Sequence, residues 1–380
     1  MPSMRLLNPF VLVLTATLFG VYSYLAWRLA SGPVGHAVLA IPFVLIWVVP
    51  VVYWGGRGTR APADEVVQFA SYVCMGWLNF VVILSLARDL LFIATAWGEP
   101  LVAEHAYLRD AGAMWVVIGS FAMLGIGMLA ALRGPGVRQV DIPIENLDPA
   151  LEGLRIVQIT DLHVGATIRA GYVRNVVRMA NELAPDLVAL TGDFVDGSVA
   201  RLAQRVAPLV ELKPAGRLFF VMGNHEYYSG AAQWIEHFTR LNFRVLLNEY
   251  ATITIRGARM VIGGVLDPAA RSQGPSYVPR PDLAAGLEEG PAFRLLLAHN
   301  PKLAPAGAEA GFDLQLSGHT HAGQFFPWTL AVRFVHAPHV AGLSKEGRMW
   351  VYVSAGTGTW GPPVRFGTRP ELTLLRLVRA

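Results

Sequence analysis

Charge is scarce in this chain. Of its 380 residues only 15% are Asp, Glu, Lys or Arg, against roughly a quarter in an ordinary soluble protein, and 53% are hydrophobic. The deficit is concentrated: residues 6–27, 29–56, 66–87 and 111–132 contain no charged side chain at all. Cysteine is nearly absent. Cys74 stands alone, which excludes an intrachain disulfide and a cysteine-cluster zinc site. Lysine is confined to Lys213, Lys302 and Lys345, and the arginines behind the formal charge of +4 are scattered. Without a basic run, a nucleic-acid tract is not expected. Internal repeats and low-complexity tracts are also missing.

About 20 predominantly apolar residues cross the hydrocarbon core of a bilayer, and each uncharged stretch supplies at least that. Residues 1–132 are therefore expected to form an all-α, four-helix transmembrane domain, which makes the lipid bilayer the first partner. The second span should be irregular, because Pro33, Pro42 and Pro50 fall in or beside it. Arg88 and Asp89 follow the third stretch and read as an interfacial anchor, with a polar site as the alternative. With neither a twin-arginine motif nor a small-residue cleavage site, a removable leader is the poorer reading. Four spans put both ends on one side, with Arg5, Arg57, Arg60, Arg133 and Arg138. The other side mixes Arg28, Arg88 and Arg109 with Glu99, Glu104 and Asp110. Positive charge favours the cytoplasm, so a multi-pass cell-membrane protein with a cytoplasmic C-terminal domain is expected.

RGPGVRQ (133–139) reads as a hinge. Beyond it, 140–380 alternates apolar runs of strand length with helical patterns at 169–183 and 201–212, the mark of an α/β domain on packed sheets. The strand candidates are VRQVDIPI (137–144), LRIVQIT (154–160), DLVALTG (186–192), RLFFVMG (217–223), ATITIRG (251–257), RMVIGGV (259–265), FRLLLAH (293–299), DLQLSG (313–318), WVYVS (350–354) and LTLLRL (372–377).

Five of these runs end on residues of one chemical kind: Asp161 and His163, then Asp193, Asn224 with His225, His299, and finally His319 with His321. Ligand sites in α/β folds gather at the carboxyl ends of strands. Imidazole, carboxylate and amide oxygen suit manganese, iron or zinc. Leaving His225 aside, seven such groups exceed the needs of one four-coordinate ion, and two ions sharing a carboxylate would use them all. In an extended segment residues i and i+2 point the same way, so His319 and His321 could serve one ion each. Alone, Asp161 or Asp193 would be an ordinary helix cap and His299 a core histidine; the ensemble is what argues for ligation. Glu226 reads as a partner behind the candidate ligands or a helix cap rather than a catalytic group, and Asp196 and Thr191 as groups that orient Asp193.

The ordered set Asp161-Leu-His163, Gly192-Asp193, Gly223-Asn224-His225-Glu226, His299 in LAHNP, and Gly318-His319-Thr-His321 resembles the signature of the calcineurin-like metallophosphoesterases. The resemblance covers 137 to 380. GDFVD, AHNP and GTWGPPVRFGTRPE add a likeness to the membrane-tethered branch of that family. It implies a four-layer αββα sandwich and two divalent metal ions, manganese, iron or zinc. By the same resemblance Asp161, His163 and His321 hold one ion, Asn224, His299 and His319 the other, and Asp193 bridges them. His225 matches the family's catalytic histidine. The implied reaction is hydrolysis of a phosphodiester, phosphomonoester or pyrophosphate by water that the two cations acidify. A lipid-linked substrate such as UDP-diacylglucosamine belongs to that range. The competing class is a catalytically weak metal-binding membrane sensor or scaffold. Family members often carry glycine where this chain has Ala322; one extra methyl is expected to leave the site intact.

Overall fold

The structure, a computed structural model, describes residues 9–48, 62–96, 103–287 and 290–380. The chain divides into two compact units, one of residues 1–129 with 361–364 and one of residues 130–360 with 365–380.

The first unit is helical: α1 (Pro9–Leu29), α2 (Gly32–Val48), α3 (Pro62–Ala96) and most of α4 (Ala103–Leu132). Val11–Leu29, Asp64–Ala94 and Ala111–Leu132 are long and apolar enough to cross a membrane. The second expected span differs: α2 has 17 residues with Pro42 inside it, short of the usual crossing length, and 49–56 lie outside the described residues. Large apolar side chains face outward in this unit, Phe19, Trp115 and Leu129 among them. Some of its polar groups pair inward instead: buried Trp77 donates from Nε1 to buried Ser120 Oγ at 3.0 Å, while Trp47 Nε1 donates to Thr15 Oγ1 at 2.8 Å on the exposed side. Polar groups inside and apolar groups outside suit a lipid solvent.

In the second unit strand β1 (Gly136–Ile144) begins inside the expected hinge. There follow β2 (Arg155–Ile159), α5 (Ala170–Glu182), β3 (Leu187–Thr191), α6 (Val199–Val206), β4 (Leu218–Val221), α7 (Asn224–Arg240) and β5 (Arg244–Val245). The later elements are β6 (Glu249–Ile255), β7 (Ala258–Gly264), α8 (Pro281–Ala284), β8 (Phe293–Leu297), α9 (Ala304–Glu309), β9 (Leu314–Ser317), α10 (Trp328–His336), β10 (Gly342–Glu346), β11 (Met349–Val353) and β12 (Glu371–Arg379). The described strands form two six-stranded sheets, β1-β12-β2-β3-β4-β5 and β10-β11-β9-β8-β7-β6. Within them β2, β3 and β4 run parallel, as do β7, β8, β9 and β11. The helix expected over 201–212 stops at Val206 and continues as a 3-10 turn, because Pro208 cannot donate the next helical bond.

Side-chain alternation along each strand builds three cores. One face of the first sheet (Val157, Val188, Phe220) packs under Val176 of α5, Leu202 of α6 and Trp234 and Phe238 of α7. Its other face (Ile156, Leu187, Phe219) meets Ile262, Leu295 and Leu314 of the second sheet. The outer face of the second sheet (Leu296, Val351, Val353) is covered by Ala284 and Ala304 of α8 and α9. The result is the four-layer α/β sandwich, helices outside two sheets. Strands buried on both faces read in sequence as unbroken apolar runs, which is why they were legible.

Candidate metal centre

The parallel strands of each sheet deliver their carboxyl ends to one place. Asp161 and His163 leave β2, Asp193 leaves β3, and Asn224 and His225 open α7 after β4. His299 follows β8; His319 and His321 follow β9. Three groups of side chains could hold a cation, each with its ligand atoms within 4.8 Å of one another: Asp161/His163/His321, His163/Asp193/His225 and Asp193/His299/His319. Asn224 joins the last, its Oδ1 3.0 Å from His319 Nδ1. Asp193 sits between the groups. Its Oδ2 is 3.1 Å from His299 Nε2, 3.8 Å from His163 Nε2 and 4.0 Å from His225 Nε2. All eight residues singled out in the sequence are therefore brought together.

The backbone is bent to achieve this. Asp161, His163, Asp193, His319 and His321 all have positive φ, between 49° and 70°, a region that costs non-glycine residues of order 1–3 kcal/mol. The expectation that His319 and His321 lie on an extended segment is corrected here. Left-handed turns flank Thr320 in the right-handed region, and these turns send the two imidazoles to different groups. Ala322 is also left-handed, at φ 52°, so its methyl carries a conformational cost that residue size alone does not reveal. Two glycines have the opposite reason to be there. A Cβ on Gly223 would collide with the Asp193 carboxylate, and one on Gly318 with that of Asp161.

Surrounding residues fix each imidazole. Asp196 Oδ1 takes the Nδ1 protons of both His163 (2.8 Å) and His225 (2.7 Å), and the Thr191 carbonyl takes that of His299 at 2.7 Å. Asp196 and Thr191 thus orient histidines rather than Asp193. The group that orients Asp193 is Glu226, fully buried, whose carboxylate accepts the backbone N–H groups of Asp193, Phe194 and Gly223 at 2.9, 2.6 and 2.8 Å. Sequence reasoning missed Arg365. It is buried against His321, donating to the His321 carbonyl at 3.1 Å and to the Gly358 carbonyl at 2.6 Å, with Nη2 3.1 Å from His321 Nδ1. Its only signal was an arginine inside the glycine-rich GPPVRFG stretch.

The donor chemistry fits cations. With their Nδ1 protons committed, His163 and His299 aim Nε2 lone pairs inward at His321 Nε2 (3.0 Å) and Asp193 Oδ2 (3.1 Å). Burial alone would lower the His299 pKa, yet Asp193 and Asp161 hold it well above the ordinary value. A positive charge is favoured at that spot, and a divalent cation on neutral imidazole would supply one. Burial and the neighbouring His163 and Arg365 push His321 well below its usual range. Burial and His299 bring His319 down to about 3. Both stay neutral, the form that ligates. For His225 the carboxylates of Asp193 and Asp196 outweigh burial and raise the pKa to about 9.

The calcineurin-like phosphoesterase family model matches residues 154–323. A transmembrane protein with metallophosphoesterase domain from Bos taurus is 37% identical over 345 residues, covering 84% of this chain and 76% of its own. The Danio rerio protein of the same name is 36% identical over 332 residues, covering 83% and 74%. An uncharacterized metallophosphoesterase of Helicobacter pylori strain J99 is 35% identical over 329 residues, covering 85% and 86%. The chain belongs to the calcineurin-like phosphoesterase family. As a member it is a metal-dependent hydrolase of phosphoric esters, with candidate metal-binding residues gathered where its two sheets deliver their loops.

Proposed function

We propose that this phosphoesterase works through a dinuclear centre in which Asp161, His163 and His321 hold one divalent ion and Asn224, His299 and His319 the other. Asp193 is shared, and the observation that carries this reading is the position of its Oδ2 between His299 and His163. Manganese, iron and zinc all suit the donor set. When bound, such a pair neutralises phosphoryl oxygens and acidifies water. The protein's own part is positional. Asp196 locks His225 Nδ1, so Nε2 is the atom that faces the substrate and hands a proton to the leaving oxygen. The exposed rings of Tyr228 and Trp360, with centroids 5.6 and 5.9 Å from that of His225, wall the leaving-group side.

A lipid-linked phosphate ester or pyrophosphate, UDP-diacylglucosamine being one candidate, is the substrate class best supported. Helix α10 begins soon after His321, and the ring of its last residue, His336, lies 5.3 Å from that of His319. None of its residues is buried, and Trp328, Leu330, Phe334 and Val335 are exposed. An apolar surface beside the centre suits acyl chains better than a water-soluble leaving group. Residues 1–132 act as the membrane anchor, 133–139 as the join and 140–380 as the hydrolase, with the hydrolase in the cytoplasm.

The full chain in detergent, supplied with manganese, iron(II) or zinc, is expected to hydrolyse aryl phosphomonoesters or diesters, and more efficiently a lipid ester in mixed micelles. Asp193→Ala should lower turnover at least about 10³-fold, as loss of a charge-stabilising group in an active site does. Absence of turnover with every metal contradicts the enzyme reading and favours a metal-binding scaffold. Full activity in Asp193→Ala contradicts the shared carboxylate. For orientation, a reporter fused after Ala380 should be active in the cytoplasm; activity on the outer side reverses the topology.

A further inference from the structure

We propose that the helical unit carries a second binding site, for the anionic phosphate headgroup of a bilayer lipid, built on Arg28, Arg88 and Asp89. A cavity of about 370 Å³ opens between α1, α3 and α4, with these three residues at its polar end and Leu84, Phe92, Trp115 and Val116 among its walls.

Among the described residues the polar end holds more positive than negative charge. The Asp89 carboxylate is fully engaged. Arg28 Nε lies 2.9 Å from Oδ2, Tyr24 Oη donates to the same oxygen at 2.8 Å, and Arg88 Nη2 reaches Oδ1 at 3.1 Å. One carboxylate thus serves two guanidinium groups. The side chains of Arg88 and Asp89 are each only 14% exposed. Arg88 Nη1 is buried and has no hydrogen-bond partner. These two side chains are largely withdrawn from solvent. Excess charge in a low-dielectric site is costly unless a counter-ion completes it. The site is also shaped for Arg88: a Cβ at Gly112 would lie 3.1 Å from Arg88 Cδ.

The occupant must therefore be anionic at one end, to take the spare N–H groups of Arg28 and Arg88. It must be apolar at the other, to lie against Leu84, Phe92 and Trp115. Free phosphate meets the first requirement and leaves the apolar walls bare. A phospholipid with net negative charge meets both. Trp27, 73% exposed with the Arg28 guanidinium carbon 4.1 Å from its ring centre, is the kind of side chain that settles at headgroup depth. This site is independent of the dinuclear centre and of its chemistry.

The full chain, reconstituted in nanodiscs of phosphatidylcholine doped with spin-labelled phosphatidylglycerol or spin-labelled phosphatidylcholine, reports the motionally restricted lipid fraction. The labelled phosphatidylglycerol should be retained roughly five- to tenfold more strongly, since each basic residue contributes about 1 kcal/mol toward anionic lipid. Arg88→Gln and Arg28→Gln should each remove most of that preference. Asp89→Asn, which deletes the only negative charge named in the site, should increase it, an outcome that collapse of the fold cannot imitate. An unchanged helical circular-dichroism signal and thermal midpoint in the nanodisc check that each variant is folded. No preference in the parent protein, or one unaffected in both arginine variants, overturns the proposal. Displacement of the label by inorganic phosphate at millimolar concentration would assign the site to the free anion and equally overturn the lipid.

Discussion

His321 is held from behind by a cation. The buried Arg365 guanidinium ties the His321 carbonyl to the Gly358 carbonyl and abuts the imidazole, so ring orientation depends on a residue outside the set of candidate ligands. Partners behind a ligating histidine are commonly worth 10–100-fold in metal affinity or activity. Arg365→Gln is expected to weaken the Asp161/His163/His321 position by roughly that factor while sparing the other, which calorimetric titration of the metal-free protein with manganese resolves as one weakened and one unchanged site. Two equally tight sites would show that Arg365 only fills space. Ala322 supports a prediction of opposite sign. Its left-handed backbone is strained for any residue with a Cβ, by about 1–2 kcal/mol, and Ala322→Gly should raise stability by roughly 0.5–1 kcal/mol net of the freer unfolded chain. Urea unfolding of the metal-free protein measures this, and a destabilised variant would contradict it. The identity of every side chain gathered at the candidate centre was legible in the sequence. The dihedrals beneath them were not, because spacing between polar residues carries no information about φ, and the turns at His319 and His321 were read as extended chain for that reason.

Among the elements, the buried strands were the easiest to read and the half-exposed ones the hardest. LVALT and LFFV announce themselves as apolar runs. GLSKE of β10 (Gly342–Glu346) does not, since its pairing with β11 rests on backbone bonds and leaves polar side chains outside. Helix α7 was hidden for another reason: Gly230 breaks it with φ 106°, blurring the helical period. Helix α10 is the informative surprise. A helix with no buried residue and with Phe334 92% exposed gains nothing from its own core, and burying one such ring is worth roughly 1.5–3 kcal/mol. Phe334→Ser combined with Trp328→Ser should therefore lower turnover of a lipid ester in mixed micelles by about tenfold and leave hydrolysis of a soluble aryl ester unchanged. Equal losses on both substrates would place these rings in the fold rather than in substrate capture.

At the level of the molecule, the metal centre draws on both sheets. Asp161, His163, Asp193 and Asn224 come from loops of the first, and His299, His319 and His321 from loops of the second. Cations bound there would stabilise the folded hydrolase by mass action, by about 2.7 kcal/mol at a hundredfold excess over the dissociation constant. Chelation should then lower its melting temperature by about 5–10 °C, and Asp193→Ala should melt at one temperature with or without chelator. A midpoint insensitive to chelation in the parent protein would show that the ions are not part of its stability.

The first sheet also has an order of assembly written into it. Strand β1 (Gly136–Ile144) pairs with β12 (Glu371–Arg379), and β12 separates it from β2. The strand that completes the sheet follows all the others, so on the ribosome β1 waits unpaired while the rest of the hydrolase is made. A chain that lacks β12 would leave β1 unpaired and β2 as an open strand edge, the kind of surface that quality-control proteases find.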